Sequence, residues 1–271
     1  MKKTKIFCTS TKYYSVLDKL PNYIIPLGLG KETFPSNWMD EKKGENISQL
    51  NLNYGELTGI YWIWKNIISS MKDDDIIGNC HYRKLWLDQL YDKKQKMSSD
   101  SLYSRLLKIE KKNLENIDVI QVQPIEFKSK NLLEDFFEIH RTDILEKSLN
   151  FFENNTKQSF FLHLNQNKLY PLNMFITKVK YFREYCEILF PWLEKCLDYC
   201  EEKKLCKNYN MRLPAFLAER FTSFWFSQKE KKTYLSYARL GSFFLSNNTN
   251  RLLNPTKIPF TFRMYPTLHK Y

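Results

Sequence analysis

The strongest constraint in this sequence is a change of hydrophobic period between residues 54 and 84. In "YGELTGIYWIWKNIISSM" (54–71), Leu57, Ile60, Tyr61, Trp64, Ile67 and Ile68 recur at three- and four-residue spacing. That is the period of a helix with one buried face. Asp73 to Asp75 end it, and a short apolar run, Ile76 to Cys80, follows. The run is too short for a helix and has the length of a buried strand. It stops abruptly at His81, Tyr82, Arg83 and Lys84. Two further apolar runs come earlier, Lys5 to Cys8 and "YIIPLGLG" (23–30). Strands alternating with an amphipathic helix specify an α/β sheet.

The remaining chain continues the alternation. Residues 97–116 read as helical, and "IDVIQVQPI" (117–125) as a strand stopped by Pro124. Residues 131–155 read as one or two amphipathic helices. A strand at 172–177 leads into a long helix, and 212–228 is a further helix. The segment 31–53 is a long polar loop, and loops of that length tend to carry function. The expectation is one domain over 1–226. A basic, aromatic extension at 227–271 would pack on it and complete a helical C-terminal portion.

Composition removes several function classes. With 43% hydrophobic and 16% aromatic residues among 271, the chain can bury a large core. It has only 7 Gly, and neither G-x-G-x-x-G nor G-x-x-x-x-G-K-S/T occurs, so the two familiar phosphate-cradling loops are missing. The six Cys form no C-x-x-C, and the four His are isolated. A metal cage is therefore not expected, and core thiols suit a reducing cytoplasm. No apolar run approaches the length of a membrane span, and the lysines after Met1 lead into no signal-peptide core.

The net charge of +12 calls for an anionic partner. From Ser227 to Tyr271 there are eight Lys/Arg and one acid, Glu230, interleaved with aromatics. This is either a solvated basic edge or a patch that rests on anionic lipid headgroups. Nucleic acid is the alternative partner, but no helix-turn-helix or R-G-F signature occurs.

Polar clusters punctuate the ends of the apolar elements. They are Thr9-Ser10, Asn46 in the long loop, Lys65-Asn66 on the helix, His81-Tyr82-Arg83-Lys84 and Asn173. Ligands of α/β sheets bind at the carboxyl ends of the strands, where Arg and Lys suit a diphosphate.

The order of these clusters carries a resemblance. "NISQLNLNYGELTGIYWIWKN", "IIGNCHYRKLW", "NMFITKVKYFREYCEILFPWL" and "AERF" resemble a bacterial capsular-polysaccharide glycosyltransferase family, formerly a domain of unknown function. The family pattern runs close to N-x-x-Y-x-E-L-T-x-x-Y-W-x-W-K-N and then I-G-x-x-H-Y-R-R. The matches span most of residues 5–225. Lys84 replaces the second Arg, Gly55 a Cys, and Phe221 a Leu.

The resemblance implies a GT-A-like mixed sheet and a nucleotide-sugar donor, with a UDP-linked, galactose-type hexose favoured. It also implies a glycan acceptor that may be lipid-diphosphate-linked, at the inner face of the membrane. Thr9, Ser10 and Asn46 would face the nucleoside. Lys65, Asn66, Arg83 and Lys84 would face ribose and diphosphate, and His81, with Tyr82 beside it, and Asn173 the transferred sugar. Glu219 or Asp143 would be the catalytic base, with Arg220 as partner or phosphate contact. GT-A enzymes commonly end this strand in Asp-x-Asp around a divalent ion. Cations stand there here, so metal independence is expected, with Mn or Mg as the alternative. A glycosyltransferase-like protein without activity also fits the same motifs.

Overall fold

The computed structural model describes residues 3–90, 104–108, 116–152 and 154–239. Its centre is a mixed sheet. The strands are β1 (Thr4–Ser10), β2 (Ile24–Gly28), β3 (Met39–Asp40), β4 (Ile76–His81), β5 (Lys84–Trp86) and β6 (Val119–Val122). β7 (Ile125–Glu126) and β8 (Lys168–Leu169) form a separate small pair. β9 (Phe175–Lys178), β10 (Lys232–Leu235) and β11 (Tyr237–Arg239) complete the set. The sheet order is β10-β6-β9-β4-β1-β2-β3, with β5 and β11 attached beside β4. β1 pairs in parallel with both β2 and β4, whereas β9 runs antiparallel to β4 and β6. The carboxyl ends of β1, β2 and β4 therefore share one edge.

Strand periodicity divides the core in two. On β1, Phe7 faces one side of the sheet, and Ile6 and Cys8 face the other. The Phe7 side is covered by α2 (Leu57–Asn66), α6 (Val179–Glu202) and α7 (Leu213–Ser227), and α1 (Asn51–Tyr54) precedes α2. α3 (Leu132–His140), α4 (Ile144–Lys147) and α5 (Asn154–Leu164) pack around the same core. The helix expected over 54–71 is shorter, because Gly55 adopts φ +56 and separates α1 from α2. The pair of helices expected over 131–155 divides at Arg141, which is left-handed at φ 53.

The polar run after β4 gains a definite form, and the C-terminal part departs from expectation. The His81–Lys84 run is a two-residue hairpin turn, with His81 paired to Lys84 across it. After α7 the described chain is strand, not helix: β10 extends the sheet beside β6, and β11 pairs with β5. Residues 240–271 and most of the helix expected over 97–116 lie outside the described residues.

Two polar contacts fix the frame. Gly78 approaches β9 so closely that a Cβ would lie 2.9 Å from the Phe175 carbonyl oxygen. One residue on, Asn79 continues the pairing with its side chain: Nδ2 donates to the Asn173 carbonyl, and Oδ1 accepts from Phe175 N–H at 3.0 Å. On α7, Arg220 is 2% exposed. Its Nη2 lies 2.7 Å from Asp135 on α3, and its Nη1 3.0 Å from Glu219. A buried guanidinium needs such partners.

Asn79→Leu leaves a buried carbonyl and a buried N–H without their side-chain partner, so denaturant titration should show a loss of about 2–4 kcal/mol. A second expectation concerns acid. Burial lowers His140 from 6.5 to about 4, opposed by the Asn210 bond and reinforced by Arg220. Burial and Arg220 likewise lower His163 to about 4. Between pH 6.5 and 4 the unfolded chain takes up protons that these folded-state imidazoles do not. Tm should therefore fall as pH drops through that window, and His163→Gln should flatten the slope in calorimetry.

Candidate functional site

A cleft of about 380 Å³ opens at the carboxyl edge of β1, β2 and β4. Thr9, Ser10 and Thr11 line it from the end of β1, and Leu29 from just after β2. His81, Tyr82, Arg83 and Lys84 come from the β4–β5 hairpin. Leu172 and Asn173 precede β9, and Arg212, Phe216 and Glu219 come from α7 and its leading turn. Asn51 and Glu56 come from α1 and the start of α2. The crevice at the carboxyl ends of parallel strands is where α/β sheets bind ligands.

The hairpin sets the electrostatics. Burial pulls the Lys84 ammonium below the usual lysine range, opposed by Glu56 and Glu219 and assisted by Arg83 and Arg239. Lys84 has no carboxylate within ion-pair distance among the described residues; its cross-strand neighbour on β11 is Arg239. Burial also holds His81 down at about 4; Glu56 opposes this, and Lys84, Arg212 and Arg83 add to it. The imidazole is therefore neutral near pH 7. The Thr9 hydroxyl donates to the Cys80 carbonyl at 3.2 Å and lies 3.4 Å from His81 Nδ1. Tyr82 stacks on Tyr14, with ring centroids 5.2 Å apart, and Arg83 lies over the Tyr82 ring.

The two carboxylates of the cleft are both engaged. Burial raises the Glu56 carboxyl, but His81, Arg212 and Asn173 outweigh it and hold it at about 2. Its Oε1 accepts from Asn173 Nδ2 at 2.9 Å, and Oε2 pairs with Arg212 at 2.8 Å. Gly55 makes room for this pair, since a Cβ there would lie 1.9 Å from Arg212 Nη2. Glu219 Oε1 accepts the Leu172 N–H at 2.6 Å, and Oε2 pairs with Arg220. Leu172 has φ 71, the left-handed region. A branched residue held there stores about 1–3 kcal/mol of strain.

Of the residues singled out from the sequence, Thr9, Ser10, His81, Tyr82, Arg83, Lys84, Asn173 and Glu219 meet around this cleft. Asn173 lines it, but its amide is satisfied by Glu56, Ala215 and Thr222. Ser10 Oγ donates to the Lys12 carbonyl at 2.6 Å.

Five residues stand elsewhere. Asn46 closes its own loop through Gly44 and Ser48. Asn66 clamps that loop to α2 through the Glu45 backbone, and Lys65 pairs with Glu45 at 3.3 Å while covering Trp64. Asp143 is exposed and pairs with Lys147 at 2.9 Å. Arg220 is buried behind Glu219. Sequence reasoning gave neither Arg212 nor Glu56 a place at the site. The "GEL" step at 55–57 was the available signal, because it puts an acid beside a forced turn.

Among the described residues no three His, Cys, Asp or Glu side chains cluster as metal ligands. The end of β4 presents cations instead. Asp73 to Asp75 lie at the amino end of β4, where Asp75 accepts the Lys3 and Lys72 N–H groups and Asp73 pairs with Arg183. No helix of the described residues is long and apolar enough to cross a membrane.

No curated protein matches the chain. Among solved structures, it is similar to the apo structure of WbbM, a bifunctional glycosyltransferase, with a TM-score of 0.71 and 22% identity. The match covers 94% of this chain and 48% of that one, so the chain spans about half of that protein's length. The likeness is one of fold: a GT-A-like mixed sheet flanked by helices. The sequence model described as "Domain of unknown function (DUF4422)" matches residues 5–231, a span that contains every residue named around the cleft. The chain belongs to the DUF4422 family.

Proposed function

We propose that the chain is a glycosyltransferase that uses a nucleotide-sugar donor, a UDP-linked hexose of the galactose type. The acceptor is a hydroxyl of a capsular or lipopolysaccharide glycan intermediate. The observation that supports this most is Lys84. It is a lysine with its charge disfavoured by burial, beside Arg83, in a cleft at the carboxyl edge of a GT-A-like sheet. An anion in the cleft relieves that cost, and a diphosphate offers several oxygens to both cations.

In this reading Thr9 and Ser10 border the nucleoside, and Arg83 and Lys84 bind the diphosphate. His81 and Asn173 border the transferred sugar. The bond from the anomeric carbon to the β-phosphate oxygen breaks as a bond to the acceptor oxygen forms. The acceptor proton passes to Glu219 if the transfer inverts. The leaving diphosphate is neutralised by protein cations, which is the work a divalent ion does in other enzymes. The basic segment after residue 227 suits an acceptor on a lipid diphosphate at the cytoplasmic face of an anionic membrane.

Two measurements test this. UDP should raise Tm equally in EDTA and in Mn, and Lys84→Met should weaken UDP binding by about 2 kcal/mol, roughly thirtyfold in Kd. Stabilisation that requires Mn would overturn the metal-free reading. Glu219→Gln keeps an acceptor for the Leu172 N–H but removes the base. It should lower turnover about 100- to 10,000-fold with UDP affinity intact. Turnover at the wild-type level would remove Glu219 from the mechanism.

A further inference from the structure

The outer end of the cleft carries an aromatic group that the donor does not account for. Tyr209 is 62% exposed, yet its ring is fixed. It stacks on Phe216 with centroids 5.2 Å apart at 24°, and on His140 at 5.7 Å and 15°. His140 in turn packs on Phe216 at 4.7 Å. Phe216 itself lines the cleft.

The backbone beneath this group is tied down. Asn208–Arg212 is a 3-10 turn, and Asn208 is left-handed at φ 51. Asn210 bridges it to the end of α3: Nδ2 donates to the His140 carbonyl at 2.8 Å, and Oδ1 accepts from His140 Nδ1 at 2.8 Å. The same turn ends in Arg212, whose pair with Glu56 borders the cleft. The stacking contacts hold the ring in place, but its exposed area stays hydrated and adds nothing to the stability of the isolated chain. It is prepared for a ligand that covers it.

We propose that Tyr209 and Phe216 form the acceptor subsite, a platform for the C–H face of a sugar ring, with Arg212 and Glu56 binding hydroxyls at its rim. This rests on the glycosyltransferase reading of the cleft. A pyranose presents C–H bonds on one face and hydroxyls around its edge. It therefore needs an aromatic plane beside charged hydrogen-bonding groups, and this combination occurs here. The position is also suitable. Phe216 lines the same cleft as Thr9, Ser10, Leu29 and the Lys84 hairpin, and Tyr209 stacks on Phe216. A nucleobase also stacks on aromatic rings, so nucleosides are part of the test.

The experiment is ligand-observed saturation-transfer NMR on the full chain. The probes are methyl β-D-galactopyranoside, methyl β-D-glucopyranoside, uridine, adenosine and UDP. Wild-type protein should transfer saturation to the ring C–H protons of at least one glycoside. Tyr209→Ala, a surface change, should abolish that transfer with the UDP signal intact, and Tyr209→Trp should retain it. The proposal falls if no glycoside responds with wild-type protein, or if Tyr209→Ala keeps the wild-type glycoside signal. It also falls if Tyr209→Ala removes the nucleoside signals instead. If glycosides respond and UDP does not, the platform stands as a carbohydrate site and the donor reading of the cleft fails.

Discussion

Asn173 joins four elements through its backbone carbonyl and its side-chain amide. Its backbone carbonyl accepts from Asn79 Nδ2 on β4, and its side-chain Nδ2 donates to Glu56 at the start of α2 and to the Ala215 carbonyl on α7. Its Oδ1 accepts from Thr222, which also bonds Tyr185 on α6. Every donor and acceptor of that side chain is used inside the protein, and the group is 3% exposed. Buried polar groups are costly unless satisfied and directional when they are. The position of Glu56, and through it of Arg212, follows from this one residue. The cleft wall is therefore as rigid as the sheet.

The sheet has electrostatic polarity. At the amino end of β4, Asp73 to Asp75 are neutralised by Arg183, Lys180 and the backbone of Lys3 and Lys72. At the carboxyl end the cations outnumber the carboxylates they meet, because Glu56 is taken by Arg212 and Glu219 by Arg220 and Leu172. Among the described residues Lys84, which lines the cleft, has no carboxylate within ion-pair distance. Charge of one sign, focused in a cleft with low-dielectric walls, attracts anions and orients them before contact.

The sequence made the parallel core legible because α2 buries one face, which imposes a helical period, while β1 and β4 bury both faces and read as short continuous apolar runs. Polar residues at the ends of those elements were legible for the same reason. The rest depended on tertiary contacts that leave no period. Asn46, Lys65 and Asn66 look like ligand groups, but a polar loop clamped to a helix needs the same residue types. The hairpin at Tyr82-Arg83 carries no Gly or Asn to announce it. β10 and β11 are short, and their lysine and arginine resemble a solvated tail. Arg212 is identified only by its partner Glu56, 156 residues away.

Leu172 ties the shape of the cleft to the stability of the loop beside it. Its left-handed backbone is retained because the Glu219 carboxylate grips its N–H. The acid at the cleft is thus also the latch on a strained loop. Substitutions that relax the loop gain heat tolerance while letting the acid drift, and substitutions that remove the acceptor oxygen at 219 release the loop. If Glu219 is the base proposed above, selection for a hardier protein and selection for a faster one pull this pair of residues in opposite directions. Over generations they are expected to change together or not at all.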